Sequence, residues 1–150
     1  MKRLRSILPL ILALVATVLV ACGGPNVAKA PPTYTPEKVA QLERYLTPVA
    51  TARERMSELP DLLEKEDWVF VRNFIHGPLG QLRGSMSFIS RNLLPKDQDT
   101  AARAADELFE HLDRIDLAAK DKNYPLAVQQ YREAVKDFDT FLNLVPAEAS

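Results

Sequence analysis

The only thiol in the chain is Cys22, and it closes the tetrapeptide Leu19-Val20-Ala21-Cys22. Small residues leading to a cysteine, at the end of a short apolar run, resemble a bacterial lipobox. That chemistry implies cleavage before Cys22 and lipid on its thiol and new N-terminus. One cysteine also excludes an intramolecular disulfide. The other residues able to do chemistry are two histidines, His76 and His111. Glu107 and His111 stand four apart, once only, which reads as a surface pair. A di-iron bundle needs Glu-x-x-His on each of two helices. No nucleophile motif, glycine-rich phosphate loop or haem attachment sequence is present. The expectation is therefore a protein without a catalytic residue or a metal site of its own.

The segment before Cys22 explains the cysteine's position. Met1 to Arg5 carries three positive charges, and Ile7 to Ala21 is a mostly apolar run without a charge. The run is shorter than the roughly 20 residues of a spanning helix, so residues 1–21 read as a lipoprotein signal peptide. Several acyl chains would hold the mature protein on a membrane, where a single chain binds only marginally. Of 19 Lys and Arg, the leader holds three. The mature chain keeps all 20 Asp and Glu, for a balance of −4. A mildly acidic chain lacks the basic excess of a nucleic-acid binder, and its length supports one domain.

Residues 22–36 read as a Gly- and Pro-rich linker that needs no regular structure. Residues 37–146 carry four segments of helical period, and 147–150 form a tail. Thr35-Pro36 predicts the first helix start, with Val39, Leu42, Leu46, Val49 and Met56 on its apolar face, Arg53 interrupting them, and Pro48 kinking it. The acidic stretch around Pro60 predicts a turn or short helical piece. The second series is Trp68, Val71, Ile75, Leu79, Leu82, Met86, Ile89 and Leu93. Its single extra step of four falls on Gly77-Pro78 and predicts a helix that continues through a kink. The third series is Ala101, Ala105, Leu108, Leu112, Ile115 and Ala119, capped by Asp97 or Asp99. The fourth opens at Asn123 with Pro125, runs Tyr124, Val128, Tyr131, Val135, Phe138, Leu142 and Val145, and ends at Pro146. Four such helices with short loops predict an all-α, up-down-up-down four-helix bundle.

Charge is unevenly spread. Residues 67–96 hold Arg72, Arg83, Arg91 and Lys96 against Asp67, whereas 97–121 hold eight acids against three bases. Three readings follow. The charged residues simply form a solvated helix face, the basic second helix docks on an acidic partner, or the second and third helices satisfy each other inside the bundle.

The run Asp67 to Arg83, "DWVFVRNFIHGPLGQLR", together with "SRNLLPKDQ" and "NYPLAVQQYREAVKDFDTFLNLVP", resembles the PsbQ family, and most of all its cyanobacterial lipoprotein branch, which carries a lipobox such as the one at Cys22. The similarity extends over nearly the whole mature chain. It implies a four-helix bundle behind a Pro-containing N-terminal segment. It also implies an extrinsic, non-catalytic subunit on the lumenal face of photosystem II, beside the core antenna and other extrinsic subunits. Such a subunit is held at the thylakoid membrane by its lipid. It binds no cofactor itself and acts indirectly on the calcium and chloride of the manganese centre. Trp68, Arg72, His76, Arg83 and Arg91 are then the candidate partner-binding residues, since Trp and Arg are typical contact anchors. Trp68 capping the bundle core is the plainer alternative. The rival classes are a lipid-anchored helical adaptor or assembly factor, and a metal-storage or redox bundle that would need bound metal.

Overall fold

A computed structural model describes residues 32–146. The leader, Cys22, most of the linker and the tail lie outside them. Thr35 opens the first helix as its type suggests. Its hydroxyl accepts from the Lys38 N–H at 3.3 Å, and Pro36 stands at the first helical position, where no N–H is needed. Pro36, assigned above to the linker, is thus the first residue of α1 (Pro36–Arg55). The linker's end is also fixed. Tyr34 packs against the core, and its hydroxyl accepts from the Leu94 N–H at 2.9 Å. Pro48 does not end α1. It sits on the exposed face, where water can replace the hydrogen bond it cannot donate.

A 3-10 turn (Met56–Glu58) leads into the short α2 (Leu59–Glu64). Glu66, at φ 50, reverses the chain into α3 (Trp68–Phe74). There the helix widens into a π turn (Ile75–Leu79) and, past Gly80 and Gln81, resumes as α4 (Leu82–Asn92). The expected kink at Gly77-Pro78 is this π turn. A wider turn keeps Val71, Ile75 and Leu79, each four residues apart, on one buried face. It also brings the backbone close to itself. A Cβ on Gly80 would stand 2.8 Å from the His76 carbonyl oxygen.

α5 (Pro95–Lys120) begins two residues before the expected Asp97 cap. Leu94 is the cap residue and makes no side-chain cap bond. Pro95 fits the first helical position, so Asp97 falls inside the first turn, where its charge favours the helix dipole. Gln98 reaches back instead, and its Nε2 donates to the Leu93 carbonyl at 2.8 Å. α6 (Tyr124–Leu144) opens at Asn123, whose Oδ1 accepts from the Leu126 N–H at 3.2 Å.

Pairings along the chain fix the topology. Lys38 meets Asn92 and Tyr45 stacks on Phe88, so α1 and α4 run antiparallel. Arg72 meets Asp116 and Arg83 meets Phe109, which sets α3 and α4 antiparallel to α5. α5 and α6 share the most extensive pairing, and a two-pronged Arg53–Asp139 ion pair at 2.7 and 2.9 Å joins α1 to α6. The result is the four-helix bundle, with α3, the π turn and α4 forming its second member.

The core follows the second and third series closely. On α5 it widens to include Ala104, Phe109 and Ala118. On α6 the predicted stripe is rotated. The buried residues are Ala127, Gln130, Ala134, Asp137, Phe138 and Phe141, while Val128, Tyr131, Val135 and Leu142 are only half-buried and Tyr124 is exposed. Both α5 and α6 bury alanines, and the two helices share the most extensive pairing of the bundle. Burying side chains the size of Phe138 and Phe141 contributes about 1.5–3 kcal/mol each.

Candidate functional site

The sequence-predicted residues border two separate clefts between the α3–α4 helix and α5. At one end Arg72 Nε and His76 Nε2 both donate to Oδ1 of Asp116, at 3.0 and 2.8 Å. A carboxylate only accepts, so the histidine nitrogen facing it is the protonated one. Burial pushes the Asp116 carboxyl up, but the hydrogen bonds from Arg72 and His76 outweigh it and hold the group below its ordinary range. Trp68, one turn earlier, is half-buried against the core. It also borders an open groove of about 380 Å³ with Val69, Lys120 and Lys122.

Beyond the π turn, the Arg83 guanidinium lies 4.2 Å from the centre of the Phe109 ring, and Arg91 Nη1 donates to Ser87 Oγ at 2.7 Å. Both border a second cleft of about 290 Å³, with Ser90 and Asp106. The structure therefore brings together Arg72 with His76, and Arg83 with Arg91, as two clusters on either side of the π turn. Of the sequence readings of this charge, pairing between the second and third helices holds in part. Arg72 is satisfied within the bundle by Asp116. Arg83 and Arg91 form no ion pair among the described residues, and their charge stays available on the surface.

His111 departs from the surface pair expected with Glu107. It is mostly buried between α5 and α6. Its Nδ1–H donates to Gln130 Oε1 at 2.8 Å, and its Nε2 stands 3.4 Å from Asp137 Oδ2. That oxygen is buried without a hydrogen-bond partner. Burial, reinforced by Glu107 and Glu133, pushes the Asp137 carboxyl up against the opposing influence of His111 and Lys136. No local pattern could have found this node, because its members lie 19 and 26 residues apart on two helices.

Other residues were missed for a different reason. Val69, Lys120 and Lys122 border the first groove; the signal for Val69 was the run of four apolar residues from Trp68 to Val71, too many for one helix face to bury. Among the described residues no three His, Cys, Asp or Glu side chains converge to hold a metal ion. No helix among them is long and apolar enough to cross a membrane.

The fold is a helical bundle with both histidines held by hydrogen bonds and basic side chains bordering two surface clefts. The comparisons with known proteins make that class specific. Residues 2–146 match the PsbQ family, described as oxygen evolving enhancer protein 3. CyanoQ of Synechocystis sp. (strain ATCC 27184 / PCC 6803 / Kazusa) is 54% identical over 147 residues, covering 97% of this chain and 98% of that protein. The chain belongs to the PsbQ family.

Proposed function

We infer that the protein is an extrinsic, non-catalytic subunit of photosystem II that stabilises the oxygen-evolving complex. The observation that carries this reading is the near full-length correspondence with CyanoQ. The physical mechanism is mass action. A subunit that binds the assembled lumenal face, and not its dissociated parts, shifts the equilibrium toward assembly by RT ln(1 + [L]/Kd). Calcium and chloride at the manganese centre are then retained indirectly, with no ion held by this chain. Cys22 carries the lipid, which keeps the bundle on the lumenal side of the thylakoid membrane and raises its effective concentration at the complex. The partners are the core antenna and other extrinsic subunits, met by the two clefts that hold Trp68, Arg72 and His76, and Arg83 and Arg91.

A pull-down through a tag after Ser150, from gently solubilised membranes, tests this. Captured material that contains chlorophyll and evolves oxygen supports the reading. Chlorophyll without oxygen evolution moves the role to assembly. A colourless protein captured alone, with the complex intact elsewhere, overturns the reading.

A further inference from the structure

Five large hydrophobic side chains among the described residues are exposed: Tyr45, Val69, Phe70, Leu117 and Tyr124. Tyr45 is accounted for by its stack on Phe88, with ring centres 3.8 Å apart. The other four lie at one end of the bundle, on the first turn of α3, the last turn of α5 and the first residue of α6. Val69 and Phe70 are the most open, at 67% and 60%. Their exposure is fixed by the helix phase. Val71, Phe74 and Ile75 take the buried face, and neighbours at 100° steps cannot share it.

Beside Val69 the groove of about 380 Å³ is bordered by Arg72, His76, Lys120 and Lys122 and by no acidic side chain. Asp116 is already engaged by Arg72 and His76. Lys120 and Lys122 have no ion pair among the described residues, and Lys122, at φ 54, stands in the tight turn between α5 and α6. Val69 beside two lysines without ion pairs, with exposed Phe70 the next residue along α3, has the make-up of a contact surface.

We propose that this end of the bundle docks an acidic segment of a protein partner in the same complex. Carboxylates of that segment meet Lys120 and Lys122, and an aliphatic or aromatic side chain covers Val69 and Phe70. Charge complementarity selects the carboxylates. The proposal rests on the photosystem II reading and adds residues that reading does not use.

The test uses the full lipid-anchored chain, rebound to photosystem II membranes depleted of it. Val69→Ser with Phe70→Ser, and separately Lys120→Glu with Lys122→Glu, should each weaken rebinding about tenfold or more, as expected for central contact residues. All these positions are exposed, so helix content and Tm should hold. A benzophenone amino acid replacing Phe70 should cross-link, on irradiation, to a peptide with carboxylates beside the labelled position. Variants that rebind like the parent overturn the proposal alone, whereas a parent chain that fails to rebind overturns the photosystem II reading with it. Cross-links only to lipid, or to a second copy of this chain, also overturn the proposal.

Discussion

Nε2 of His111 on α5 faces Oδ2 of Asp137 on α6 at 3.4 Å, across the most extensive helix pairing of the bundle, and that oxygen has no hydrogen bond. A buried carboxylate left half-satisfied costs stability, because desolvation is incompletely offset.

Asp137→Asn should therefore stabilise the protein at neutral pH. An amide carries no charge to desolvate and can donate toward His111. The folded-state pKa of Asp137 is raised. Parent stability thus falls as pH rises from the ordinary carboxylate value, about 3.9, through the raised one. The variant lacks that fall. Its advantage should be about 1 kcal/mol at neutral pH and vanish below about pH 3.9, read by thermal unfolding across pH.

Asp116→Asn should have the opposite sign. The folded pKa of Asp116 is lowered, so its contribution is present above the ordinary carboxylate value and lost as pH falls through the depressed one. Arg72 and His76 are both well exposed, which limits the effect to about 0.5–1 kcal/mol at neutral pH. Equal Tm values for the two proteins at neutral pH would show that the bridge is energetically idle.

The two glycines flanking Leu82 should respond differently. At Gly80 a methyl group would meet the His76 carbonyl oxygen at 2.8 Å, whereas at Gly84 nothing lies within 4 Å. Gly80→Ala should cost about 1–3 kcal/mol by forcing the π turn apart. Gly84→Ala, inside α4, should add about 0.5–1 kcal/mol through helix propensity. Denaturant midpoints measured side by side decide it.

Charge reversal at Arg83 and Arg91 tests the second cleft. Arg83→Glu with Arg91→Glu should remove the salt-sensitive part of binding to depleted photosystem II membranes, weakening it about tenfold at low salt and less at high salt. The loss to the fold should be small, about 0.5–1 kcal/mol for the stack of Arg83 on Phe109. Binding that is unchanged at both salt concentrations would remove this cleft from the docking surface.

Local chemistry was legible wherever one segment determined it. Thr35 and Asn123 cap the helices they precede, and the apolar series of the second and third helices, apart from the half-buried Trp68, lie in the core. Failures arose where two segments compete. Asp97 lost the cap of α5 because Pro95 allowed an earlier start. The buried face of α6 is rotated toward α5, where His111 meets Gln130 and Asp137, which no hydropathy period on α6 alone can reveal. Arg53, a mere interruption in the first series, became the link to Asp139 on the last helix.

The sequence by itself determined the helices, their order and the all-α class, since caps, prolines and hydrophobic period act within a few residues of one another. Near full-length likeness to the PsbQ family could also be read from it. Tertiary structure alone decided which charges remain available. Arg72 is spent on Asp116, whereas Arg83, Arg91, Lys120 and Lys122 form no ion pair among the described residues. Val69 and Phe70 stay exposed for the same reason that Val71 and Phe74 are buried. Ion pairing and burial depend on distances between helices, and those are set only when the bundle closes.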